Sequence, residues 1–340
     1  MSNIVTKTLL ASIATLASLL FTVLASGNPV AAQRARTNPS ASSIKYLPAS
    51  DAIIVVDVRR LINEALPAVV ARDTVKLAQI NADLTKFKTR TGVDPKSLER
   101  VVLGMHYTYP SPNITKVQTV VIASGTFDAK ALIAAAHTAA GEKYREEKYR
   151  GATISILGLN DQIKLVGLWN VRIHELGICV LDGNTLAIGS PENVRAAVLA
   201  GKAGVASNLV LATLANRDPR ALVGFGGNVT RALLDNLHVG TDAIAKDIAS
   251  IKQVYGSIGS TSTDLSLLVV ARTGSAAEAK SVSETVTGLE QLGAIFIARM
   301  QPPKKTLAQN ALDNLKVTTV GNEVQIRTQL ATAGLAAFIK

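Results

Sequence analysis

An α+β fold, with helices covering largely antiparallel sheets, is predicted by three observations. Short β-branched runs such as Ala52–Val58 (AIIVVDV) alternate with segments of helical apolar spacing. The two halves of the chain repeat a similar order of these segments. Each half also closes on a Gly-Asn pair, Gly183-Asn184 and Gly321-Asn322, between extended apolar residues, which is the sequence of a tight hairpin. Together they predict two diverged copies of a β-α-β-β-α-β-β-α unit, beginning like the split β-α-β of ferredoxin-like folds.

The elements follow in order. Lys7, the apolar stretch Leu9–Ala25 and the small residues Val30 to Ala32 form an export signal, so residues 1–32 read as a signal peptide. The competing reading keeps residues 9–25 as a membrane anchor, a length near the lower limit for crossing hydrocarbon. No cysteine follows the apolar stretch to carry a lipid. Residues 33–45, rich in Arg, Ser, Asn and Pro, read as a flexible linker. A first module is expected over 46–205 and a second over 206–340.

In the first module the strand 52–58 is followed by helical spacing at Leu61, Ala65 and Leu66, then at Leu77, Ile80, Leu84 and Phe87. Gly92 and Asp94-Pro95 stop the helix. Strands 100–107 and 117–124 flank a Pro-Ser-Pro-Asn loop, and the helix 128–140 follows. Glu142–Arg150 (EKYREEKYR) reads as a charged helix surface, Glu146 and Arg150 having i,i+4 spacing. Leu159–Glu175, with the single tryptophan Trp169, is an insertion before the hairpin. Helix 191–199 is capped by Ser190.

The second module repeats strand 221–225, helix 229–237, strands 250–260 and 264–271, and a helix opened by Ser275 and Glu278 in capping-box spacing. Gln301–Lys305 reads as an exposed connector, and 332–339 as a closing helix.

Composition supports folded domains, with 48% hydrophobic and 18% charged residues. Loss of Lys7 with the leader lowers the formal charge from +11 to +10, a balance suited to anionic envelope components. Cys179 is the only cysteine, so no intramolecular disulfide forms; Ile178 and Val180 beside it predict a buried thiol in a strand.

Motifs of chemistry are missing one after another. Gly224-Phe225-Gly226-Gly227-Asn228-Val229 lacks the third glycine of a dinucleotide site, and packing at a tight strand-helix turn accounts for its glycines better. No Gly-Lys-Ser/Thr loop or Gly-x-Ser-x-Gly elbow occurs. His106, His137, His174 and His238 show no metal-ligand spacing. Asp57, at a strand end, and His106 form the one acid and imidazole pair worth locating. Aromatic residues, at 4%, are too few for base-stacking platforms, so nucleic acid is not an expected partner. No residue is assigned a catalytic, cofactor or metal role, and no cofactor is expected.

Leu47-Pro48 with the strand ending Asp57-Val58, Asn63-Glu64-Ala65-Leu66-Pro67 and Thr91-Gly92-Val93-Asp94-Pro95 resembles a family of uncharacterised exported bacterial proteins over residues 46–125. The resemblance implies export in a bacterium and supplies no site residues.

The expected function is that of an exported, non-catalytic envelope protein, periplasmic or extracellular, with a structural or protein-interaction role. Its partner would be an envelope protein or an anionic envelope component, with membrane contact only through residues 9–25 if these are retained. One alternative is a carrier of a small apolar or anionic ligand between the modules; another is an enzyme without a recognisable motif.

Overall fold

The computed structural model describes residues 43–331 except 72, 112–113, 166–168, 204–207, 236–241, 261–263 and 303. The expected signal peptide, most of the linker and the closing helix 332–339 lie outside these residues. Twelve strands form one sheet in the order β11-β12-β10-β9-β8-β1-β2-β3-β7-β6-β5-β4.

Ile44 and Leu47, ahead of the first strand, are buried in the core. The strand β1 (Ala52–Asp57) ends in Asp57, whose carboxylate caps α1 (Val58–Arg60) by accepting from the Arg60 amide at 3.0 Å. A π-helical turn (Leu61–Ala65) and α2 (Leu66–Val69) continue it, then α3 (Thr74–Thr91). The helix α3 ends on Gly92 at φ 71°, the left-handed cap that the sequence signalled. Strands β2 (Leu98–Ser111) and β3 (Ile114–Gly125) and helix α4 (Ala129–Ala140) come next, the last capped by Asp128.

Residues Glu142–Arg150 do not form the expected charged helix. They give a 3-10 turn and the edge strand β4 (Tyr144–Tyr149). Period two decides: Tyr144 bonds to Ser155 Oγ at 3.0 Å, while Glu147 holds Arg195 through two 2.6 Å hydrogen bonds. A charged outermost strand also discourages pairing with other chains.

The expected insertion is a long hairpin, β5 (Ala152–Leu165) and β6 (Trp169–Asp182). Its ladder runs on to Leu165↔Trp169, well past the partners that β4 and β7 offer. The side chains of 159–173, Trp169 included, lie outside those described. Strand β7 (Thr185–Gly189) returns through Gly183-Asn184, and α5 (Pro191–Ala203) follows.

The second half contains α6 (Leu209–Ala215), β8 (Val223–Asn228), α7 (Arg231–Asp235), α8 (Asp242–Ser250), β9 (Ile251–Ser260) and β10 (Asp264–Thr273). It closes with α9 (Ala276–Ala298), α10 (Lys304–Asp313), β11 (Lys316–Val320) and β12 (Glu323–Ala331). The Ser275 side chain caps α9, accepting from the Glu278 amide at 3.2 Å. The reciprocal half of the capping box is not made, for Glu278 Oε2 is buried without a hydrogen-bond partner. The expected connector at Lys304-Lys305 is the start of α10. Gly321, at φ 58°, turns the last hairpin.

Every strand pair among the described residues is antiparallel. The split β-α-β expectation therefore fails: β1 pairs directly with β2 on one side and β8 on the other, rather than beside a parallel neighbour. The halves meet in the β1–β8 ladder, from Ala52↔Gly227 to Val56↔Val223.

Two cores lie on opposite faces, as strand alternation requires. On one face α1 to α4 bury Leu61, Leu66, Ile80, Leu84 and Leu132 against Val56, Val101 and Leu186. On that face in the second half, α9 buries Ala279 and Val282 against Ala271 and Val324. On the other face α5 and α6 bury Val194, Ala197 and Leu211 against Val55, Ile122, Ile156 and Cys179.

Candidate functional site

The acid and imidazole expected to meet do not. Asp57 sits at one end of β1 opposite Arg100, whereas His106 lies past the other end, beyond the Ala52↔Met105 pair. His106 Nδ1 instead stands 2.8 Å from Asp51 Oδ2, an oxygen that also accepts from the Tyr107 amide at 2.8 Å. Ser50, next to Asp51 in the chain, donates its hydroxyl to the Pro48 carbonyl at 2.9 Å.

Cys179 is buried in β6, and burial pushes its thiol up to about 11, so it stays protonated at neutral pH. The glycines at 224 and 226 lie inside β8, where α6 packs directly on the strand, rather than at a strand-helix turn. A Cβ at Gly224 would overlap the carbonyl oxygen of Ala215.

The densest polar cluster joins four distant segments. The buried Tyr255 donates its hydroxyl to Glu323 Oε1 at 2.5 Å. Arg272 reaches the same oxygen at 2.8 Å, and Arg217 reaches Oε2 at 3.1 Å. Both guanidiniums lie over the Tyr255 ring, 5.2 and 5.4 Å from its centroid for Arg272 and Arg217. Arg272 also donates to Gln253, which donates to Asn228 at 3.1 Å. Burial raises the Glu323 carboxyl, but hydrogen bonds from Tyr255, Arg272 and Arg217 outweigh it and hold the group at about 2. The oxygens of Glu323 are consumed internally. The cluster bolts the β11–β12 hairpin to β9 and β10.

Beside it, a cavity opens on the sheet among the described residues. It has a volume of about 290 Å³ and is lined by Ser257, Ser266, Leu268, Lys316, Arg327 and Gln329. In the first half the corresponding face is apolar and covered by α5.

Among the described residues, exposed large apolar side chains occur at the start of α6, at Leu209 and Val210, and most densely along α9. The helix has two regimes along its length. In its first half Ala279 and Val282 face the sheet, while Ser281 and Thr285 donate to Asp247 of α8, Ser281 at 2.7 Å. From Gly288 to Ala298 the only charged residue is Glu290, and Ile297 alone is buried. Leu289, Leu292, Ile295 and Met300 are about half exposed and Phe296 is 69% exposed. Leu289, Leu292 and Phe296 share a helix face by their i, i+3, i+7 spacing. A water-facing helix normally carries charge there, and contiguous apolar surface of this kind marks a binding face. No sequence expectation named this segment. The signal was readable all the same: eight residues, Gln291–Ala298, without one charge at the end of a helix whose core stripe was already supplied.

No family model and no curated protein matches this chain. Among solved structures it is similar to TP0453. Crystal form III aligns at 9% identity and TM-score 0.43 over 87% of this chain and 96% of that one. Crystal form IV aligns at 10% identity and TM-score 0.44 over 89% and 99%. Likeness at this level assigns no property to this chain.

Proposed function

We propose that this chain is an exported, non-catalytic envelope protein with a structural or protein-interaction role, acting through the apolar face of α9. The observation that carries the reading is the exposure of Leu289, Leu292, Ile295, Phe296 and Met300 along one helix end. The polar groups best placed for chemistry support it too, because Asp51, His106, Tyr255 and Glu323 are engaged with one another or with backbone. A ligand carrier with its site between the modules finds less support. The seam there is a hydrogen-bonded ladder, and one cavity among the described residues lies away from it on β9, β10 and β12.

Export rests on the leader and on the resemblance described above, and implies a periplasmic or extracellular location with residues 9–25 as the alternative anchor. Among the described residues no helix is long and apolar enough to cross a membrane.

The two halves are proposed to be diverged copies of one unit. Support comes from the strand order outward from β1–β8: β2, β3, β7 and β6 on one side, and β9, β10, β12 and β11 on the other. On this reading β4–β5 is an added hairpin in the first copy.

Native mass spectrometry of the chain, purified gently from its host's envelope, tests the proposal. The expected species begins near Gln33 and travels in a protein complex. A small-molecule adduct on a lone chain would favour the carrier, and a retained leader would favour the anchor.

A further inference from the structure

We propose that the cavity on β9, β10 and β12 binds a small zwitterion, a molecule the size of a dipeptide with a free carboxylate at one end and a free ammonium at the other. The inference goes beyond the α9 reading and does not depend on it.

The register of the sheet builds the site. Ser257↔Leu268, Leu268↔Arg327 and Arg327↔Lys316 are successive cross-strand pairs, so these four side chains form one row on one face of β9, β10, β12 and β11. Two residues along, Gly259, Ser266 and Gln329 form the next row. Gly259 has no side chain to fill its place, and a Cβ there would stand 2.8 Å from Ser266 Oγ.

At one side of the cavity two cations lack a counter-charge. Lys316 and Arg327 stand directly opposite each other, which costs stability unless an anion lies between them. Among the described residues neither has a carboxylate partner, and Arg327 donates to Gln325 Oε1 at 2.9 Å. The one acid of β12, Glu323, is four residues away, roughly 13 Å along the strand. Its oxygens are held by Tyr255, Arg217 and Arg272.

Asp218, the one carboxylate among the described lining residues, enters from the other side. Its loop runs onto β9, where the Leu222 amide donates to the Ile258 carbonyl at 2.8 Å, and β9 lies two strands from Arg327. Asp218 Oδ1 accepts from the Arg220 amide at 2.9 Å, and its other oxygen accepts from no described group. A ligand carboxylate therefore fits the fork of Arg327 beside Lys316, with its ammonium toward Asp218 and the hydroxyls of Ser257 and Ser266 between. Asp218 repels a second negative charge, which disfavours a phosphate dianion. The volume of about 290 Å³ is that of roughly ten waters, hence a ligand of roughly ten non-hydrogen atoms. Both cations are exposed, so solvent screening sets the affinity at a Kd of about 1 mM.

Titration of the purified protein with alanyl-alanine, followed through its backbone amide resonances, tests the site. Saturable shifts on β9, β10 and β12 are expected. N-acetyl-alanyl-alanine, without the ammonium, and alanyl-alanine amide, without the carboxylate, should each bind about tenfold more weakly, as should alanyl-alanine to Arg327→Gln. If that variant fails to fold, Asp218→Asn decides, since it should erase the preference for the free ammonium. Without ligand, Lys316→Gln should raise Tm by about 1 °C, because the opposed like charges are gone. Absence of saturable shifts with alanyl-alanine, or equal binding of the three peptides, overturns the inference. Inorganic phosphate binding as tightly as alanyl-alanine would reduce the cavity to a basic surface and also overturn it. None of these outcomes bears on the α9 face.

Discussion

Gly224→Val is expected to destabilise the protein by about 3 kcal/mol or more, visible as a fall of roughly 5 °C or more in Tm by circular dichroism. The cause is backbone overlap. A Cβ at this position would occupy the space of the Ala215 carbonyl oxygen, whereas a Cβ at Gly226 would stand 3.0 Å from the Leu211 carbonyl, a much milder crowding. The strand cannot retreat, because β8 is hydrogen-bonded to β1 on one side and β9 on the other. The helix cannot retreat cheaply either, since Leu211, Leu214 and Ala215 are buried beneath it. Gly183→Val offers the comparison: nothing lies within 4 Å of a Cβ there. It should cost much less. A Tm within a degree or two of the wild type for Gly224→Val would mean that α6 does not seat on β8 in this way.

Glu323→Ala should cost about 3 kcal/mol, because it leaves Arg217 and Arg272 stacked on Tyr255 with their shared carboxylate gone. The side chain of Glu323 is only 13% exposed, so water cannot fully replace it. Tyr255→Phe, which removes one hydrogen bond but keeps the ring beneath both guanidiniums, should cost less, about 1 kcal/mol. The pH dependence follows from the direction of the shift. A carboxyl lowered from 4.5 to about 2 contributes stability that is complete above its unfolded value and is lost as pH falls toward 2. The wild type should therefore lose stability between those limits more steeply than Glu323→Gln. Parallel profiles for the two proteins would show that Glu323 is not ion-paired in solution.

The parts of the fold legible in the sequence are those set by local chemistry. Strands β1, β2, β3, β9 and β10 follow from β-branched runs, and both Gly-Asn turns lie where expected. Asp128 and Ser275 cap their helices because a side-chain oxygen can reach an amide two or three residues on. The errors come where neighbours in space, not in sequence, decide. Tyr144–Tyr149 carries charges at helical spacing, but pairing with β5 selects the extended form. Asp57 and His106 share adjacent strands, yet antiparallel register sends them to opposite ends and gives Asp51 to the imidazole. The Glu323 cluster draws on residues 217, 255, 272 and 323, whose convergence no spacing rule announces.

The α9 face is a different case. Its periodicity was available, but a helix opened by a strong cap draws attention to its start, while the missing charges lie at its end. Only the fold shows that α8 engages α9 at Ser281 and Thr285 through Asp247, and that Leu289, Leu292, Ile295 and Phe296 farther along stay exposed.

Photo-crosslinking from position 296 in living host cells tests the central claim most directly. A photoreactive residue replacing Phe296 should give a discrete protein adduct of fixed mass, whereas the same residue at Val75, which is 78% exposed on α3, should give none. Equal labelling from both positions, or none from 296, would contradict a function exercised through the α9 face.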